Sequence, residues 1–177
     1  PGPSTQDGVI LGERDEDEGR KTLRLVNSML FDGMGFDADN KKTAESINME
    51  DYWHENMMWY GPCGVGTTRG FENYLYGHGG PFAESFPNYV SGSCGAPDEF
   101  RLAEGRYCSL EGCVEAKHAG SSWLGIPATG EDVEIRAMDF YRREGDLLAE
   151  NWVLIDIIDF LLQLDLDVFA QMKELNT

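Results

Sequence analysis

Basic side chains are scarce. Fourteen Lys and Arg stand against 32 Asp and Glu in 177 residues, a formal charge of −18. A surface of that sign repels phosphate backbones and anionic lipid headgroups, so neither nucleic acid nor a membrane surface is an expected partner. Long apolar runs are missing as well. The longest, around residues 152–164, is interrupted by Asp156 and Asp159, and falls short of the roughly 18–20 apolar residues that span a bilayer. Residues 1–20 lack the basic-then-apolar pattern of an export signal, which points to a cytoplasmic protein. Cysteine is sparse: Cys63, Cys94, Cys108 and Cys113 form no C-x-x-C pair. Neither a disulfide scaffold nor a structural zinc is expected, and the four are read as reduced core or loop thiols.

Cofactor motifs are absent too. His54-Glu55 is not followed by the second histidine of H-E-x-x-H, and the glycines of residues 61–70 match neither a phosphate loop nor a dinucleotide fingerprint. There is no G-x-S-x-G elbow. Three histidines, far apart in the chain, offer little to a metal. The sequence therefore predicts no cofactor and no metal site, and leaves acid–base chemistry by carboxylates and imidazole.

What is present is a core: 41% of residues are apolar and 11% aromatic. That suits one domain over residues 20–177, preceded by an acidic extension over residues 1–19. Leu23, Val26 and Leu30 predict a helix over residues 20–31, and Ile47, Met49, Tyr52 and Trp53 a second over residues 43–54. Residues 57–60 read as a short strand. A third helix, with Thr67 or Thr68 as cap, runs from about residue 69, with Phe71, Tyr74, Leu75 and His78 on one face. From residue 100 to 156 the period shortens to two. Residues 133–141 and 148–156 alternate, and the short connection at residues 143–146 implies an antiparallel hairpin. Helical spacing returns over residues 158–175. Helices, then a strand meander, then a closing helix define an α+β fold with helices packed on one face of an antiparallel sheet.

The candidate chemistry lies in acids within apolar strands. Asp156, in Trp152-Val-Leu-Ile-Asp156-Ile-Ile, has apolar neighbours on both faces. Burial would raise its pKa and suit it to proton transfer, although the same position also suits a helix N-cap. Asp139 shares a face with Tyr141 and reads either as a site carboxylate or as one bonded to a neighbouring strand. His118 closes the strand-like residues 114–118 and reads either as an exposed strand-end histidine or, with Asp156, Asp139 and Tyr141, as a candidate catalytic residue. Trp59, Tyr60, Trp123 and Trp152, together with Phe71 and Met57, are candidates for packing a core or lining a substrate pocket.

His118-Ala-Gly, Leu124-Gly-Ile-Pro-Ala-Thr-Gly130, Val133-Glu-Ile-Arg-Ala-Met-Asp-Phe-Tyr-Arg142, Glu150-Asn-Trp-Val-Leu-Ile-Asp156 and Leu161-Leu-Gln-Leu164 together resemble the SnoaL-like polyketide cyclases, also called ester cyclases. Gly61-Pro62, Gly64, Gly70-Phe71 and Phe86-Pro87 fit the same family's first half. The resemblance implies a cone-shaped α+β barrel shared with nuclear transport factor two, a curved sheet around a deep apolar pocket. It implies an aspartate in Trp-x-x-x-Asp, here Asp156, as acid–base catalyst of an intramolecular aldol closure, with a small apolar carbonyl compound as substrate and a homodimer or homotetramer as the assembly. Where the family often has Asp-x-His, this chain has Asp139-Phe140-Tyr141. A binding protein with the same pocket, or a dehydratase or hydrolase using His118 with Asp139, are the alternatives.

Overall fold

The structure, a computed structural model, describes residues 15–34, 49–91 and 100–175. Its first element, α1 (Glu16–Ser28), opens on Asp15, whose Oδ1 accepts from the Glu18 amide at 3.0 Å. Glu16, Asp17 and Glu18 in the first turn complement the helix dipole. Gly19, Thr22 and Val26 fall at helical spacing and are buried. A Cβ on Gly19 would stand 3.2 Å from the Ala103 carbonyl oxygen, so glycine lets the helix lie close on the sheet. The helix thus begins inside the expected acidic extension, and it runs on into a π-helical turn, Met29–Gly33.

The expected helix over residues 43–54 is not what the described part shows. Residues 43–48 lie outside the described residues, Glu50–Tyr52 form one 3₁₀ turn, and Trp53 already starts β1 (Trp53–Tyr60). β1 is irregular, its register shifting between Trp53 and Met58 where it pairs with the last strand. Thr67 and Thr68 are not caps but part of β2 (Thr67–Arg69). Gly70, at φ 78°, makes the break before α2 (Phe71–Tyr74), a second π turn (Leu75–Gly79) and α3 (Gly80–Ser85).

Then come β3 (Val90–Ser91), β4 (Arg101–Glu104), β5 (Tyr107–Lys117), β6 (Asp132–Glu144) and β7 (Leu147–Ile155). The β6–β7 hairpin turns at Gly145 where the sequence pattern puts it. The tail is two helices rather than one, α4 (Ile157–Gln163) and α5 (Val168–Leu175), separated around Asp165 at φ 60°. The sheet order is β2-β1-β7-β6-β5-β3, with β4 also on β5; β1 and β7 are parallel and the other pairs antiparallel. This is the expected α+β fold, with a curved sheet that does not close on itself.

Two apolar clusters fill the space inside the curve. One gathers α1, β1 and the inner faces of β6 and β7; the other gathers Phe86, Trp123, Val133, Ile135 and Phe160. Arg143, 5% exposed, ties α1 to the sheet: its Nε donates to Thr22 Oγ1 at 3.0 Å, and its guanidinium also meets the Glu18 carboxylate and the Gly145 carbonyl.

The cysteine expectation is corrected. Cys63 and Cys108 are free thiols, but Cys113 is disulfide-bonded, and Cys94 lies outside the described residues. Disulfides belong mainly to oxidising compartments. No helix among the described residues is long and apolar enough to cross a membrane.

Candidate functional site

Inside the curve lies a cavity of about 170 Å³. Alternation along the strands decides what faces it: Ile135, Ala137, Asp139 and Tyr141 from β6, Asn151, Val153 and Ile155 from β7, and Trp53, Met57 and Trp59 from β1. The helical side contributes Met29 and Met34 with Met49, and then Tyr74, His78 and Phe82. The lining is mostly apolar. Among the described residues it contains one carboxylate and no Lys or Arg.

That carboxylate is Asp139. It sits opposite Val153 of β7 and Leu110 of β5, two apolar partners, and is half-buried. Burial pushes its pKa up from 3.8 to about 6, against hydrogen bonds from Asn151 and Tyr141 that pull it down. Asn151 Nδ2 donates to Asp139 Oδ1 at 2.9 Å and also reaches the Phe140 carbonyl at 3.3 Å. Tyr141, two residues along the same face, hydrogen-bonds to Asp139. Burial and the Asp139 charge hold the Tyr74 and Tyr141 phenols well above their ordinary range, so both stay protonated and able to donate.

Asp156 stands elsewhere. It is exposed and caps α4, its Oδ1 accepting from the Asp159 amide at 3.0 Å. The reason is strand phase: Asp156 falls in step with Trp152 and Leu154, on the outer face of β7, whereas Asn151, Val153 and Ile155 point inward. The expectation of a buried Asp156 is therefore replaced by the capping role. His118 is also corrected. It is 0% exposed, packed between Phe86 and Phe160 with centroids at 5.3 and 6.1 Å, and it does not line the cavity. A His118–Asp139 pair is not formed at this cavity, so the dehydratase or hydrolase reading loses its basis.

Of the expected substrate-binding residues, Met57 and Trp59 line the cavity. Trp123 belongs to the second core, edge-on to Phe160 at 4.9 Å. Tyr60 and Trp152 stack on each other at 5.4 Å, set apart from the lining on the outer face. Phe71 packs on Tyr74 and does not reach the cavity. Asn151, Tyr74, Trp53 and His78 are the site residues that sequence reasoning passed over. Asn151 had a signal, being the one amide on the otherwise apolar face of residues 149–155.

The family model for the SnoaL-like polyketide cyclases matches residues 43–164. The chain belongs to that family. Solved structures agree in fold. A protein designated a SnoaL-like polyketide cyclase, from Jannaschia sp. CCS1, superposes with a TM-score of 0.68 at 13% identity, covering 89% of this chain and 99% of that one. An NTF2-like protein from Burkholderia xenovorans LB400 gives 0.58 at 13% identity, over 82% and 96%. IdmH of Streptomyces antibioticus, designated a polyketide cyclase, gives 0.57 at 16% identity, over 80% and 99%. Among curated protein sequences none matches. Identities this low carry the SnoaL-like fold and leave the chemistry to the cavity. Among the described residues of this SnoaL-like protein no group of three His, Cys, Asp or Glu is placed to hold a metal.

Proposed function

We propose that this SnoaL-like protein is a cofactor-independent acid–base catalyst of the cyclase or isomerase type, acting on a small apolar carbonyl compound, with Asp139 as the base. The observation that carries this reading is a solitary carboxylate inside an apolar cavity, poised to titrate near pH 6. Above that pH it is ionised, yet poorly solvated, which is the condition for accepting a proton from carbon. Asn151 donates to Oδ1 and holds the carboxylate in place at the cavity wall. A C–H bond beside a carbonyl breaks, its proton passes to Asp139, and its electron pair moves onto the carbonyl oxygen as an enolate. The neutral phenol of Tyr74 is suited to hold that oxygen. In a ring closure the enolate carbon bonds to a second carbonyl carbon of the same molecule, whose π pair moves to its oxygen, and Asp139 returns the proton to that alkoxide; in an isomerisation the proton goes to another carbon.

Acetophenone in D₂O provides the test, because its methyl protons exchange slowly without a catalyst. Wild-type protein accelerates the exchange and Asp139→Asn loses at least about a hundredfold of it, the usual scale for a general base. No acceleration by the wild type, or equal rates for both, leaves only a binding cup.

The assembly proposed is a homodimer through the outer sheet face. Supporting it are Phe140 at 38% and Leu154 at 60% exposure beside the Tyr60–Trp152 stack, a large apolar patch for a single chain to leave uncovered.

A further inference from the structure

Between Tyr74 and Phe82 the helical wall departs from α geometry in a way that places one side chain. The segment is Leu75-Tyr-Gly-His-Gly79 followed by Gly80, and it runs as a π turn. A Cβ on Gly80 would come within 2.8 Å of the Leu75 carbonyl oxygen, and one on Gly79 within 3.3 Å of the Tyr74 ring. Glycines permit these close approaches, and single π turns of this kind often mark functional sites. The turn brings His78 into the cavity wall.

The imidazole lies face to face on Trp59, centroids 4.1 Å apart and planes 16° apart, with Tyr74 edge-on at 5.6 Å and Phe82 at 5.7 Å. Stacked in this way the ring has a fixed orientation. Its Nδ1 is buried and has no hydrogen-bond partner. A buried polar atom left without a partner is unfavourable, and nothing in the acid–base scheme uses it. Burial holds the ring's pKa down at about 4, so at neutral pH it is an uncharged imidazole, donor or acceptor according to tautomer.

We propose that His78 is a second polar anchor of the cavity, hydrogen-bonding an uncharged oxygen substituent on a one-ring or small two-ring carbonyl ligand whose carbonyl end meets Asp139. The inference rests on the acid–base reading above for the placement of the carbonyl end. Asp139 stands on the sheet wall and His78 on the helical wall, so the two give the ligand a head and a tail. Size follows from the volume: about 170 Å³ compares with the roughly 150 Å³ apolar cavity that takes benzene. Charge follows from the lining. With no Lys or Arg among its described residues and one carboxylate present, the cavity disfavours acids, phosphates and nucleotide-bearing thioesters.

The test compares three one-ring probes at pH 7 by protein NMR titration: acetophenone, 3-hydroxyacetophenone and the anion 4-acetylbenzoate. Wild-type protein is expected to favour the hydroxylated ketone over acetophenone by about tenfold, the scale of one hydrogen bond, and to bind the anion at least about tenfold more weakly. His78→Phe brings the preference for hydroxyl close to one, and His78→Gln, which keeps a hydrogen-bonding side chain, restores part of it. In wild-type protein labelled with ¹⁵N-histidine, 3-hydroxyacetophenone shifts the His78 Nδ1 resonance and acetophenone does not, a readout that needs no variant. Asp139→Asn retains the hydroxyl preference while failing the exchange assay, which separates the two claims. The proposal is overturned if His78→Phe keeps the preference, if the Nδ1 resonance is indifferent to the hydroxyl, if the anion binds as tightly as the neutral ketones, or if no probe binds at millimolar concentration.

Discussion

Asn151 Nδ2 on β7 donates to Asp139 Oδ1 on β6 across 2.9 Å, a diagonal contact within a hairpin whose turn lies at Gly145. An amide donor stabilises the carboxylate without neutralising it. Arginine or lysine in its place would hold the acid far below the neutral range, and no donor at all would push it higher than about 6. Burial raises Asp139, and the neutral donors Asn151 and Tyr141 temper that rise, which leaves it between a solvated acid and a permanently protonated one.

Replacing Asp139 by Asn trades activity for stability. The folded-state pKa of about 6 exceeds the ordinary 3.8, so the folded chain holds the proton more tightly than the unfolded one, and stability falls as pH rises from about 4 to 6. The full penalty, about 3 kcal/mol, applies above that window. Asp139→Asn is expected to raise the melting temperature at pH 8 by several degrees relative to wild type and to give no gain at pH 4. Calorimetry at the two pH values checks this. In wild type the acetophenone exchange rate rises with pH through about 6 and then levels.

His78 gives a slope of the opposite sign. Its folded pKa of about 4 lies below the ordinary 6.5, so the unfolded chain binds more protons in between, and stability increases with pH across that interval. Relative to wild type, His78→Phe should be stabilised at pH 4.5 more than at pH 7.5, while Asp139→Asn should show the reverse. Chemical denaturation of both variants at the two pH values decides, and slopes of like sign would count against the assignments.

Asp156 is expected to matter to the fold and not to the chemistry. Asp156→Ala removes the cap of α4 and should lower stability by about 1 kcal/mol, while Asp156→Asn, which still caps, stays close to wild type. Acetophenone exchange by Asp156→Asn remains within about threefold of wild type. A hundredfold loss there would return the catalytic role to Asp156.

The outer sheet face is checked by Leu154→Lys. Leu154 pairs with Met138 and lies beside Phe140 and Trp152. Sedimentation of wild-type protein should give a dimer, and the variant a monomer with an unchanged far-ultraviolet spectrum. A monomeric wild type refutes the dimer.

The β6–β7 hairpin was readable because both strands carry two-residue spacing and turn at Glu144-Gly145-Asp146, although a bulge shifts the register between Arg142 and Arg143. The face of each strand was readable too, but which face is inward was not. Asp156 drew attention through its apolar neighbours, and only the phase it shares with Trp152 reveals that it points outward. Asp139 and Tyr141 were legible as a pair; Asn151 follows once β6 and β7 are set in register. His78 was visible as one position on a helical face, yet its orientation depends on a π turn that no periodicity of 3.6 predicts. Of the helix expected over residues 43–54, the described part is a 3₁₀ turn and the start of β1, because one turn of apolar spacing does not distinguish a 3₁₀ turn from an α-helix.

The cavity walls differ in mechanical character. Met29, Met34, Met49 and Met57 line it with unbranched thioethers that reshape at little expense, whereas Trp59 and His78 are locked face to face. A bulkier guest would be accommodated by movement of the sulfur-bearing side chains, leaving the stacked pair fixed as a reference plane. Peroxide, by converting those thioethers to polar sulfoxides, would stiffen and wet the yielding side, so exposure to oxidant should narrow the range of guests before it unfolds the chain.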